Sequence, residues 1–506
     1  MAFAALASLV CFVAAALVLL FSRGDNNSNG PREPQYVSFR YPFIGHFVGL
    51  LRHGISFYEM MRDKAKLPIY SIRMLGAKLY VVTSPELISQ INRKQKVISS
   101  DGPFIETVFA RLLALDAPSL ALLRGGAHGA HQRNGLRHDM QILQHDLLKP
   151  GDAMKQMYLR TVEEFARRLN GVAPEAGAKQ PVELMGLTQQ VFTWAIAFSL
   201  YGRDNPFELD PSLVDDFWTF DEGIMMLVLN IFPSITAPKA VKARQRLADA
   251  FKAYHRSGRK NGQKGMCQVV NNLTELGRQY NCSDEYLARS ELGLFTGLMI
   301  NTVPALFWFL SFILNDDELM QKIRTEIAPA VEKRANGTQF VAINTVREKC
   351  PLLLSTFQEV LRLTVAGIGT FEVLEDTVLD NKYLLKKGRA IQIPALAIHT
   401  DKEAWGEDAE KFIPDRFTRP GRQHPSAFRT FGGGSSLCPG RHIAADLMMT
   451  VTIMMLTSFD FEFAPGSQRM PGMDRNKIGS MMKPLSGFNL TMARRPGQDN
   501  VKWEFD

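Results

Sequence analysis

The chain has 506 residues, 46% of them hydrophobic and 22% charged, a globular composition that excludes a collagen-like, low-complexity or wholly disordered polymer. Its formal charge of +8 comes without a dense Lys/Arg stripe interleaved with aromatics, so no nucleic-acid partner is expected. A mildly basic face suits an anionic membrane surface or an acidic protein instead. The five cysteines (Cys11, Cys267, Cys282, Cys350 and Cys438) are widely spaced and form no CxxC pair. That argues against a zinc ribbon or disulfide framework and points to a reducing compartment.

Residues 1–22 contain no charged side chain and are followed by Arg23. About 20 apolar residues at ~1.5 Å rise give ~30 Å, enough to cross a bilayer core. The segment lacks the Lys/Arg start of a cleaved signal and reads as a transmembrane anchor. Arg23, Arg32, Arg40 and Arg52 outnumber Asp25 and Glu33 beyond it, which places the body in the cytosol. Residues 23–34 are polar and turn-rich, a linker, and 35–506 form one catalytic unit. Two β-like runs, 69–74 and 78–83, broken at Leu75-Gly76, predict a hairpin. From 84 to about 363 the pattern is mainly helical, and β-like runs return at 390–393, 459–463 and 488–492. The predicted fold class is mainly α, with a small β-rich subdomain assembled from the two ends. The apolar stretch 224–233, followed by Lys239, Lys242, Arg244 and Arg246, fits a core helix and a second membrane contact equally. His131, His138 and His145 recur every seven residues, ~10 Å apart along a helix; that is too far to share one ion and predicts a partly exposed face.

Near the C-terminus the chain reads Phe431-Gly432-Gly433-Gly434-Ser435-Ser436-Leu437-Cys438-Pro439-Gly440-Arg441-His442. This glycine-rich loop delivers one cysteine to the start of an apolar helix, predicted over 443–456. Backbone N–H groups and the positive helix end favour a thiolate there, and the glycines let the backbone approach a flat ligand. A cysteine thiolate is one of the known axial ligands of haem iron. The bland alternative is a buried, inert cysteine. Upstream, Glu359 and Arg362 stand at i, i+3 on one helical face, and Pro414-Asp415-Arg416-Phe417 supplies a second arginine. Taken singly, each could be a surface ion pair worth ~0–1 kcal/mol.

In this order the three motifs resemble the E-x-x-R helix, P-x-R-F loop and cysteine loop of the cytochrome P450 superfamily, over essentially the whole chain. The resemblance implies that fold behind one transmembrane helix. It makes Cys438 the iron ligand, groups Phe431, Gly434 and Gly440 with it in haem binding, and makes Glu359, Arg362 and Arg416 a structural charge network beside the haem. His399 stands where the family often has a histidine.

The apolar run 288–314 reads as one long helix, with Ile300, Asn301, Thr302 and Pro304 at its middle. Most family members carry an acid followed by threonine here. This chain has Ile300 at the acid position and Asn301 at the threonine position, a pattern resembling the branch of animal sterol hydroxylases and prostacyclin synthase and their fungal secondary-metabolism relatives. Ile300 cannot relay a proton, whereas Asn301 can hydrogen-bond a water, and Pro304 is expected to kink the helix. The bland alternative for Asn301, the weaker of the two readings, is a helix cap or an interhelical polar contact. Three further departures are Ser436 and Phe371, each where relatives often place a cation for a haem propionate, and the missing tryptophan of the helix holding His131, Arg133, Arg137 and His138.

The resemblance thus implies a monooxygenase using molecular oxygen and electrons passed from NADPH by a separate NADPH-cytochrome P450 reductase, with Asn301 and Thr302 catalytic. An apolar small molecule (a terpenoid, steroid-like compound or polyketide) is the expected substrate, and the endoplasmic reticulum membrane the expected location. The alternative is a redox-neutral isomerase or dehydratase on the same iron. No G-x-G-x-x-G unit or P-loop is evident, so the electrons come from another protein. Deleting residues 1–22 is expected to make the protein extractable from microsomes by carbonate, which fractionation reads directly.

Overall fold

The computed structural model describes residues 30–39, 45–74, 76–125, 135–257, 265–421, 423–463, 466, 469–499 and 501–506. The anchor expected at 1–22, most of the linker, His131 and Arg133 lie outside them.

The fold is mainly helical, with small sheets at its margins. The expected hairpin forms from Ile69–Met74 and Ala77–Val82, paired antiparallel from Ile69↔Val82 to Met74↔Ala77. Ala390–Pro394 adds to it in parallel, Ile368–Val373 pairs with that strand antiparallel, and Ile98–Ser99 closes the five-stranded sheet. Residues from both ends of the chain therefore build this sheet, as the β-like runs predicted. Phe459–Phe463 pairs with Asn489–Arg494, and Lys179–Glu183 joins as an edge strand. The sequence pattern did not reveal that edge strand, because Pro181 and its polar neighbours carry no apolar alternation; proline is tolerated at an edge.

The predicted long helix over 288–314 is two helices, Asp284–Met299 and Thr302–Leu314. Pro304 has no N–H to give the Ile300 carbonyl, so the ladder stops there. Ile300 N still bonds Thr296 O at 3.1 Å, and the next helix restarts with Ala305 N on Asn301 O at 3.0 Å. The expected kink is thus a break at Ile300–Asn301, one turn before the proline. Every residue of Thr302–Leu314 except Phe312 is buried, and each large apolar side chain there contributes roughly 1.5–3 kcal/mol. Although 284–314 is long and apolar enough to span a bilayer, 67% of its most apolar window is buried inside the protein. It is the central core helix.

Pro351–Thr364 packs against Thr302–Leu314 and carries Glu359 and Arg362. The surface alternative for this pair is overturned, since both side chains are 0% exposed. Arg362 grips Glu359 through Nε–Oε2 and Nη2–Oε1 bonds, both 2.8 Å. Arg416 Nε and Ile413 N add bonds to Glu359 Oε1 at 3.0 Å each. Arg416 also pairs with Asp408 at 2.9 Å. Glu359→Gln would leave the buried Arg362 without its carboxylate and Arg416 with Asp408 alone, a loss of about 3–5 kcal/mol; urea unfolding of the variant should show it, and an unshifted midpoint would refute the role of Glu359.

Candidate active site

Cys438 ends a loop closed by its own N–H on Phe431 O at 2.9 Å, just before the helix Arg441–Ser458, which begins two residues earlier than expected. Gly432 and Gly434 take φ of +74° and +59°. A Cβ on Gly432 would lie 2.6 Å from Ser436 O, and one on Gly434 2.7 Å from Asn92 Oδ1. Their glycines are thus demanded by the backbone path. Phe431 packs on the main core, and every residue from 431 to 442 is half-buried. Gly440 occupies the helix N-cap position. The Arg441–Ser458 helix packs on Thr302–Leu314.

Burial is the largest influence on the Cys438 thiol and pushes it up, while the Gly440 N–H and the Arg441 charge draw it down. The helix end therefore favours the thiolate less than burial opposes it. A metal cation at this sulfur would supply the remaining stabilisation, because a coordinating thiol is deprotonated outright. Cys267, Cys282 and Cys350 are also free thiols, each pushed up to about 11 or 12 by burial.

Two arginines flank this loop. Arg137 is buried, 3.3 Å from Asp101 and 4.4 Å above the Phe104 ring. It lies one turn before Gln141, whose Nε2 donates to Ser435 O at 2.9 Å, so its helix Leu136–Leu148 is tied to the cysteine loop. Arg429, two residues before Phe431, is only 4% exposed. Its guanidinium lies against Gly433, whose Cβ would meet Nη1 at 2.9 Å. Nη2 has no hydrogen-bond partner among the described residues, and burial alone pushes the group down to about 10. A buried cation without an anion is costly. A haem carries two carboxylates, and these arginines supply the matching charge, so the residues present fit that group. Ser436 and Phe371 do not: the Ser436 hydroxyl is spent on Gly433 O at 2.9 Å, and Phe371 is a core residue of the five-stranded sheet.

On the distal side, Gly297 is exposed although Thr296 and Met299 beside it are buried, and a Cβ on it would meet no atom within 4 Å. Asn301 follows at i+4 on the same face. It occupies the N-cap position of Thr302–Leu314 but makes no side-chain cap bond. Its Oδ1 instead accepts from the hydroxyl of Ser480, so of the bland alternatives the cap fails and a polar tie to a distant loop takes its place. Thr302 is buried. His138 and His145 are half-buried, as expected, and no group of three metal-ligating side chains occurs among the described residues.

The cytochrome P450 family profile matches residues 34–490. The chain is 30% identical over 503 residues to cytochrome P450 monooxygenase nodJ of Hypoxylon pulicicidum, covering 96% of this chain and 95% of that one. It is 25% identical over 484 residues to cytochrome P450 7B1 of Mus musculus, covering 92% and 89%. With the 25-hydroxycholesterol 7-alpha-hydroxylase of Rattus norvegicus it shares 29% identity over 290 residues, covering 52% and 67%. The chain belongs to the cytochrome P450 family and is an oxidoreductase of the monooxygenase type.

Sequence reasoning missed Arg429 and Ser480. For Arg429 the signal was present, as a lone charge on the approach to the glycine loop. His399 connects these parts: its carbonyl accepts from Arg362 Nη1 at 2.6 Å, and its Nε2 accepts from the Arg429 N–H at 2.9 Å. Burial, and then the nearby Arg362 charge, push its imidazole from 6.5 down to about 3. The unfolded chain binds this proton below pH ~6.5 and the folded one does not, so acidification from ~6.5 toward ~3 removes stability, at up to ~1.4 kcal/mol per pH unit. His399→Gln should flatten the pH dependence of the unfolding free energy over that window by this amount; an unchanged slope would show that the imidazole is not held neutral.

Proposed function

We propose that this chain is a membrane-bound haem-thiolate monooxygenase of the endoplasmic reticulum that hydroxylates or oxidises an apolar natural product, of terpenoid, steroid-like or polyketide class. Residues 1–22 anchor it, 35–506 form one cytosolic catalytic unit, and a separate NADPH-cytochrome P450 reductase supplies the electrons. The observation that carries this reading is the pairing of a loop-held Cys438 with a distal helix broken at Asn301, whose open face runs over Gly297. A haem on Cys438 would supply activation of molecular oxygen and insertion of one atom into a C–H bond.

The chain's own residues do the rest. Cys438 would hold the iron, and Arg137 and Arg429 would hold the carboxylates. Phe431 would help shelter the thiolate, while Gly434 and Gly440 would let the loop approach the group closely. Asn301 donates hydrogen bonds to a distal water, and Thr302 Oγ1 holds and passes a proton that Ile300 cannot. The apolar lining of the distal helix excludes bulk water and receives the substrate. The relative named for action on 25-hydroxycholesterol supports a polycyclic, steroid-like substrate.

A second membrane contact accompanies the anchor. Ile231, Phe232 and Ile235 follow the short helix Ile224–Leu229 and are 42%, 74% and 76% exposed, with Lys239 and Lys242 close behind in sequence. Apolar tips backed by cations suit an anionic bilayer surface. The net positive charge suits docking to an acidic flavoprotein.

Turnover in reductase-containing microsomes under heavy-isotope oxygen, on a panel of terpenoids, sterols and polyketides, tests the reading. A reductase-dependent product carrying one labelled oxygen is expected; a product of unchanged mass formed without reductase would establish an isomerase instead. Asn301→Ala should lower product formed per NADPH consumed by up to about ten-fold, the range for loss of one hydrogen bond, and unchanged coupling would remove Asn301 from the mechanism.

A further inference from the structure

The break at Ile300–Asn301 leaves the Asn301 carboxamide outside any helical or capping bond, so something else must fix its orientation. That partner is Ser480, whose hydroxyl donates to Asn301 Oδ1. The backbone around Ser480 is held on three sides. Ala366 N donates to Ser480 O and Met482 N to Thr364 O, both at 2.9 Å, joining the segment to the end of the helix that bears Glu359. Trp308 Nε1, from the distal helix itself, donates to Met482 O at 2.7 Å. Lys483 pairs with the buried Asp221 of the helix Leu213–Glu222. A hydroxyl on so constrained a backbone is delivered to a defined point.

An amide offers oxygen on one side and two N–H donors on the other. With Oδ1 engaged by the Ser480 hydroxyl, both Nδ2–H donors are left for another acceptor, and without that tie the carboxamide would be free to swing about its side-chain bonds. We propose that Ser480 is a positioning residue that pins the Asn301 carboxamide at the break, leaving its N–H groups to order a water there. The assignment rests on the reading above, in which Asn301 orders that water. It adds a determinant 179 residues away in sequence.

The full-chain holoenzyme, reconstituted with reductase in bilayers, tests this without a known substrate, by the hydrogen peroxide released per NADPH consumed. Ser480→Ala should raise that ratio roughly two- to ten-fold, the range that one hydrogen bond spans. Ser480→Thr, which keeps the hydroxyl, should restore it. Adding Ser480→Ala to Asn301→Ala should change nothing further, because the two residues act as a unit. A change in Asn301→Ala with none in Ser480→Ala, or additive effects in the double variant, would overturn the positioning role and leave Asn301 in place. No change in either single variant would overturn the Asn301 reading beneath it. Ser480→Gly replaces the alanine variant if that does not load haem, as judged by the reduced carbon-monoxide spectrum; failure of both to load would show that Ser480 serves the fold, overturning the proposal.

Discussion

The carboxylate of Glu359, wholly removed from solvent, is the point on which the molecule turns. Its oxygens accept four bonds from three partners, two of them guanidiniums. Such a group is tolerable inside a protein only when every lone pair is answered. From it a short chain of contacts leads to the thiol. Arg362 reaches from Glu359 to the His399 carbonyl; His399 receives the Arg429 N–H; two residues later comes Phe431, whose carbonyl closes the loop on Cys438 N. The position of the reactive sulfur is therefore set by an electrostatic network on a different helix.

The motifs around that network were legible because each is local: i, i+3 carboxylate and guanidinium, a P-x-R-F turn, and glycines where the backbone needs positive φ. The sequence also implied a sheet drawn from both chain ends, since apolar alternation survives without knowledge of partners. What it could not provide is any pairing decided in three dimensions. Pro181 lies in an edge strand that has no strand-like pattern. Asn301 reads as a cap by position, yet its oxygen serves Ser480. Arg429 looks like an ordinary charge until its burial is known.

The distal helix shows how one missing N–H changes the role of a neighbour. Pro304 leaves the Ile300 carbonyl without its donor, the helix parts, and Asn301 becomes the N-cap of the next helix, its carbonyl accepting from Ala305 N while its side chain makes no capping bond. In place of an acid this chain has a neutral amide at the break, tied to Ser480. Thr302 beside it is the hydroxyl able to exchange a proton.

Arg429 has a consequence for the life of the polypeptide. A buried guanidinium with no anionic partner among the described residues is costly to the folded chain, and a carboxylate-bearing cofactor would supply that partner. Cofactor capture and folding then share a common free-energy term, and mass action applies: a ligand present at a hundred times its dissociation constant adds about 2.7 kcal/mol to apparent stability. With such a cofactor bound to the folded state alone, opened forms of this chain would become more populated as the cofactor's supply falls.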